Sequence, residues 1–444
     1  MKIHLNKNAA FALFATLVTT GIICVFIGGY LSMVRSESQF TARSQTWNMA
    51  IPIAEAGIEE AFAQLKFNHT NQIANNGWSL VNNAWYMRTR SLDADAYYVV
   101  GISKSVPPQI VAEGFVRAPS STNFISRTIR VQTTLSMLFP NGMLADRNVR
   151  LNGHNILIDS FDSRTEQYST GGKYDSAKRK DNGTLVTNSD EADEFYLGNA
   201  KVYGKIATGP NGGYEKHNNL VVGNTAWHAG GNKGVQPGAY TKDVNVGLIE
   251  IESPIVSAMT PPVDPQTGYK YVLGTGDFQI SSPYSFDGGN ILVTGKARVL
   301  VTENFDFKHL ITIQSNATLE LYVSAPSAKI GGQGIQNNTG IAQNFVYYGL
   351  PSNTSFTFSG NGEFIGCVYA PNAEFTIGGG GNSSGDFAGA SVTKTVIMNG
   401  QYEFHHDERL RDSGPSAGHV ATSWDEIPTT WNTILANNLT HDQL

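Results

Sequence analysis

Hydrophobic and polar positions divide this chain into three textures. The first is residues 9 to 34, AAFALFATLVTTGIICVFIGGYLSMV, which carry no charge. A helix of that length crosses a bilayer core of ~30 Å. The run is longer than the ~7–15 apolar residues of a cleaved signal peptide, and Gly29-Tyr30-Leu31-Ser32-Met33 is a poor cleavage site. Basic residues favour the cytoplasmic side, so Lys2 and Lys7 predict an inside N-terminus and an outside body. The expectation is a cytoplasmic stub and transmembrane helix over residues 1–34, a single-pass signal-anchor.

The second texture has a helical period. Phe40, Trp47, Ile51, Ala54, Ile58, Ala61, Phe62 and Leu65 recur on one face, so the helix is expected to continue outward as an amphipathic one. Pro52 lacks an amide proton, which predicts a kink or a short break near Asn48 to Pro52. Glu55, Glu59 and Glu60 would then lie near the start of a second helical piece, where the dipole favours negative charge. Residues 97–103, 109–116 and 125–138 read as three strands, separated by Pro107-Pro108 and Pro119-Ser120-Ser121. Helix and strands together define a small α+β region over residues 35–140, the helix supplying the apolar face that a three-stranded sheet needs.

From residue 141 the texture becomes short apolar runs divided by Gly and Asn, such as Asn290-Ile291-Leu292-Val293 and Thr318-Leu319-Glu320-Leu321. Each is too short to form a core alone, but stacked in register they share one. The prediction is a mainly β protein whose residues 141–411 form a β-solenoid, with a β-sandwich as runner-up. Trp424 and Trp431 lie in the tail 412–444, which is expected to fold back and cap the solenoid, because exposed tryptophans are unfavourable there.

Composition narrows the function classes. Lys and Arg number 31 against 37 Asp and Glu, so no basic surface is set up for nucleic acid. Cys24 lies in the apolar run and Cys367 in a strand-like run, which leaves no disulfide framework.

His405-His406-Asp407-Glu408 is the strongest candidate for chemistry, since imidazole and carboxylate together bind zinc-like ions. Neighbouring side chains on a strand point to opposite faces, so only one His would serve a given site; a polar edge ending the solenoid is the competing reading. Residues 181–194, DNGTLVTNSDEADE, offer calcium-type oxygens without EF-hand spacing and read as a solvated insertion. Gly378-Gly379-Gly380-Gly381 and Gly274-Thr275-Gly276 lack the Lys and hydroxyl of a phosphate loop and read as turns. Asn316, Asn353 and Asn382 begin Asn-x-Ser/Thr triplets of the kind expected by chance in an Asn-rich chain.

Two resemblances extend this reading. The apolar helix running into Ala54-Glu55-Ala56-Gly57-Ile58-Glu59-Glu60-Ala61 resembles the N-terminal region of type IV pilin-like accessory proteins, minor pilins with a PilX-type N-terminus that prime or cap pili. Pilins of the major class carry a Gly before their cleavage point and a Glu near the start of the mature helix. This chain has Asn8-Ala9-Ala10-Phe11 and no acidic residue between positions 9 and 34, so neither processing nor that registry is carried over. Residues 360 to 411 resemble an uncharacterised β-helical domain at the C-terminus of pilin-like bacterial envelope proteins, for which no catalytic residues are established.

The resemblances imply a non-enzymatic structural or adhesive subunit of a type IV pilus or related envelope assembly, without cofactors. Its location would be the bacterial cell membrane, with the body outside the cytoplasm or in a surface filament. Expected partners are the lipid bilayer, other pilin-like subunits or envelope components, and surface polysaccharide. Phe11, Phe14, Phe26, Tyr30, Trp47, Glu55 and Glu59 are the expected membrane and assembly residues. The alternative is an envelope-anchored polysaccharide lyase or hydrolase on a β-helix, which needs converging carboxylates. Asp159, Asp162, Asp277, Asp287, Glu303 and Asp306 are the candidates, and their spacing shows no acidic ladder.

Overall fold

The computed structural model describes residues 7–67, 73, 76–119, 121–153, 156–263, 268–280, 289–359, 362–378, 385–400, 402–440 and 443. Lys2, Asp287, Gly379, Gly380, Gly381 and Asn382, singled out above, lie outside them. The protein is mainly β behind a long N-terminal apolar helix, and it divides into two compact units: residues 1–136 with 418–444, and residues 137–417.

The first unit is built on one 61-residue helix, Lys7–Phe67. Its first half exposes Phe11, Phe14, Phe26 and Tyr30, and no part of the apolar window that is long enough to cross a membrane is buried. Its second half buries Ala50, Ala54, Ile58, Ala61 and Leu65, a stripe at intervals of three and four residues. Ala54, Ile58, Ala61 and Leu65 of that stripe pack with Tyr98, Val100, Ile102, Ile110, Ala112, Ile129 and Val131 of an antiparallel sheet.

The helix does not break at Pro52, since Lys7–Phe67 runs through it. Asn48 and Pro52 face solvent, so water can take the carbonyl hydrogen bond that proline cannot donate to. The dipole argument for Glu55, Glu59 and Glu60 therefore fails, because no helix begins there. Glu60 is held instead by the Tyr98 hydroxyl, which donates at 2.5 Å, and by Arg88 and Arg90 at 3.3 and 3.4 Å. Glu55 and Glu59 are exposed.

The three predicted strands are present as Ala96–Ser103, Gln109–Arg117 and Phe124–Met137. The sheet has six strands, however, because Ser79–Val81 and Trp85–Ser91 extend one edge and Ser416–Ile427 lies beside Phe124–Met137. Residues 418–444 of the tail thus belong to the first unit. An open edge at Phe124–Met137 would leave a row of unpaired backbone groups, and the tail strand covers it. Arg127 donates to Glu426, and Arg130 pairs with Asp425 at 3.2 Å. Trp431 is buried edge-on against Trp85, with centroids 5.2 Å apart, whereas Trp424 remains exposed.

Gly114 is where helix and sheet come closest. A Cβ there would lie 2.2 Å from the Ala50 carbonyl oxygen and 2.5 Å from the Ala54 nitrogen, both of them backbone atoms. Gly114→Ala is expected to lower stability by about 3 kcal/mol, since neither backbone can yield locally. Urea unfolding of the variant beside wild type checks this.

The second unit is inserted in the sequence between the two neighbouring strands Phe124–Met137 and Ser416–Ile427. Leu138 donates its amide to the Pro415 carbonyl at 2.8 Å, so the segment enters and leaves this unit side by side. Its strands stack in parallel ladders. In one, Gly276 pairs with Ala297, Ala297 with Leu319, and Leu319 with Phe345; Val346 then pairs with Cys367, and Cys367 with Ala390. Parallel ladders exclude the antiparallel sandwich as the description of this unit.

Nor is the unit a coil wound monotonically from residue 141 to 411. The chain enters mid-stack and winds outward from Met143–Ala145 to Tyr240–Thr241, through Gly183–Thr187 and Lys201–Ala207. It then resumes at Tyr271–Leu273 and winds through successive strands to Tyr402–Asp407. The two halves meet at a seam where Ser391 pairs with Met143, Val396 with Val149, and Glu403 with Leu157. One core runs through the seam, with Phe364, Phe387 and Phe404 in edge-on contact from rung to rung.

Residues 181–194 are also corrected. They are not a solvated insertion, because Gly183–Thr187 is a strand of the stack with Leu185 fully buried. Asn353 is buried between the Tyr347 hydroxyl and the Ala325 carbonyl, which removes it as a glycosylation site.

Candidate functional site

The strand Tyr402–Asp407 lies at the seam, and its alternation separates the four residues that the sequence places side by side. Phe404 points into the core. His405 points the other way, towards the strand Leu157–Phe161, and is paired in register with Asp159. The fully buried His405 ring sits 2.6 Å from Asp159 through Nδ1. Tyr174 stacks on it with ring centroids 3.4 Å apart, and its hydroxyl donates to the other Asp159 oxygen at 2.6 Å.

The far nitrogen of His405, Nε2, has no hydrogen-bond partner. It faces Asp386 Oδ1 and Glu403 Oε2, each 3.9 Å away and too far for a hydrogen bond. Asp386 and Glu403 are opposite each other in the ladder, so the register builds the acidic pair that linear spacing does not show. All three ligand atoms lie within 4.8 Å of one another. Burial alone would lower the His405 pKa, but the contacts with Asp159 and Asp386, and the charges of both, outweigh it and raise it to about 9. Burial raises the Glu403 pKa, and burial together with the nearby Asp386 charge raises that of Glu363.

His406, Asp407 and Glu408 do not join this group. Burial pushes the His406 ring down to about 4, so it stays neutral. Asp407 accepts from the backbone amides of Ser163 and Arg409 at 3.2 Å. Glu408 accepts from Lys180, from Ser160 Oγ at 2.9 Å and from Asn182 Nδ2 at 2.8 Å. Burial raises its pKa, but these donors outweigh it and the net shift is downward.

The glycosidase candidates are dispersed among private partners. Asp162 is held by Arg164 and Asp277 by Arg298, at 2.8 and 2.7 Å respectively. Asp306 lies 3.6 Å from Lys308, Glu303 is exposed, and Asp159 is committed to His405 and Tyr174. The missed residues are Asp386 and Glu403 beside His405, and Lys180 beside Glu408. Glu403 was readable from its two-residue spacing to His405 on a strand; Asp386 and Lys180 needed the register.

Residues 269–413 match the model of a domain of unknown function, DUF7305. That span coincides with the half of the stack that begins at Tyr271 and holds Asp386, Glu403 and His405, while Asp159 and Lys180 lie outside it. No curated protein matches the chain. Among solved structures, the chain is similar to the competence-associated pilin ComZ from Thermus thermophilus at 12% identity, over 86% of this chain and 97% of that one, with a TM-score of 0.22.

Proposed function

We propose that this protein is a non-enzymatic, pilin-like subunit of a type IV pilus or related envelope assembly, anchored in the membrane with its β body outside the cytoplasm. The observation that carries the reading is the division of labour along the helix Lys7–Phe67. Residues 9–34 offer an uncharged surface to lipid or to neighbouring helices, and the second half of the helix is the spine of an antiparallel sheet. On this reading the parallel stack is a β-solenoid interrupted by its seam, and it presents polar faces to envelope partners or surface polysaccharide. The separate pairing of Asp162 with Arg164, Asp277 with Arg298 and Asp306 with Lys308 supports the non-enzymatic reading.

The test is fractionation of cells producing the chain tagged after Leu444, with mechanical shearing of the surface. Recovery in membranes and in sheared filaments is expected, and a chain lacking residues 9–34 should become soluble and leave the filament fraction. A full-length chain recovered in the soluble fraction would overturn the proposal.

A further inference from the structure

We infer that Asp386, Glu403 and His405 bind one divalent transition-metal ion, with Asp159 holding His405 from its far side. The first observation is an orphaned donor set. His405 Nε2 is buried, lacks any hydrogen-bond partner and is aimed at two carboxylates; Asp386 Oδ1 is likewise unpartnered. An imidazolium whose Nε2 served only as a second ion-pair donor, beside the Nδ1 contact to Asp159, would draw Asp386 or Glu403 to about 2.8 Å. Here both oxygens stand at 3.9 Å, leaving a gap between three groups that share one focus. Ligands with bonds of about 2.0–2.1 Å in a tetrahedral zinc site lie roughly 3.3 Å apart, so each 3.9 Å separation from Nε2 has to close by about 0.6 Å, within reach of carboxylate side-chain rotation.

The second observation is the support behind the ring. The Nδ1 contact to Asp159 at 2.6 Å fixes the imidazole so that Nε2 faces the carboxylates, the outer arrangement found behind metal-bound histidines. Tyr174 stacks on the ring and donates to the same Asp159, which locks both. Asp386 and Glu403 retain side-chain exposures of 27% and 37%, so the ion has an entry side and room for water as a further ligand. One imidazole with two carboxylates favours Zn²⁺ and its neighbours over Ca²⁺ or Mg²⁺, which take oxygen ligands. A bound ion would join the rungs of Asp386 and Glu403 directly and the rung of Asp159 through His405, tying together the two halves at the seam.

The experiment uses the full chain in detergent, stripped with a chelator and titrated with Zn²⁺ by calorimetry, with thermal melts in parallel. One Zn²⁺ per chain and a raised melting temperature are expected. Asp386→Asn and Glu403→Gln, both at partly exposed positions, should melt like the stripped wild type yet bind Zn²⁺ at least tenfold more weakly. Asp159→Asn should weaken binding by about 10- to 100-fold. Failure of the wild type to bind Zn²⁺, undiminished binding by the Asp386 and Glu403 variants, or displacement of Zn²⁺ by equimolar Ca²⁺ would each overturn the inference.

Discussion

Lys180→Ala is expected to destabilise the second unit by about 3–5 kcal/mol, the cost of leaving a buried charge without its partner. The Glu408 side chain is only 3% exposed, and Lys180, itself 21% exposed, is its sole cationic contact among the described residues. Ser160 and Asn182 would remain as neutral donors, but they do not replace a full charge. The pair also joins the sequence-distant halves of the stack, so its loss acts on a contact that closes a loop of 228 residues. The double variant Lys180→Met with Glu408→Gln should recover most of the loss, since a neutral pair leaves no isolated charge. Urea unfolding of the three variants in one buffer separates these outcomes.

The acid response follows from the same pair. Glu408 has a lower pKa folded than unfolded, so its stabilisation is fully present above the unfolded carboxylate value of about 4.3 and is lost as pH falls through the folded value. Without Lys180, burial acts against the carboxylate with less compensation. Acid unfolding of Lys180→Ala is therefore expected to begin at a higher pH than in wild type.

Trp431→Ala is expected to cost about 3–5 kcal/mol in the first unit, as for other large aromatic truncations in a core. Its indole packs edge-on against Trp85 and donates to the Val99 carbonyl at 3.0 Å. It also fills the space above Gly101, where a Cβ would lie 2.4 Å from the ring. Among the three nearest atoms the only other residue is Trp85, at 3.4 Å from that Cβ position, so truncation of the larger contact leaves a cavity. The backbone amide of Trp431 donates to the buried Glu113 carboxylate at 2.8 Å, so loosening of the short helix Trp431–Ala436 would also uncover a charge. Proteolysis within residues 418–444 should accelerate together with the stability loss. Trp424→Ala, at a position 45% exposed, should stay within about 0.5 kcal/mol of wild type.

These two expectations rest on different kinds of information. The helix, its apolar half and the three central strands were legible because each is a local pattern: an uncharged run, a three-to-four spacing, an alternation bounded by Pro. The Trp431 contact was not legible. A lone tryptophan shows that a residue seeks cover but not which surface provides it, and the open edge of a sheet is visible only once the sheet exists.

The candidate site divides in the same way. Glu403 and His405 share a face because strand side chains repeat every two residues, and that is a property of the sequence. Asp386 and Asp159 reach them through parallel register, across intervals that vary with each loop. The sequence alone determined the anchor-like helix, its packing stripe and a body of short strands, because those follow from local periodicity and the demand to bury apolar surface. Only the tertiary structure decided the order of the stack, its seam, the place of the tail and the convergence of Asp386, Glu403, His405 and Asp159. Those depend on which distant strands pair, and many short strands of similar pattern compete for each place.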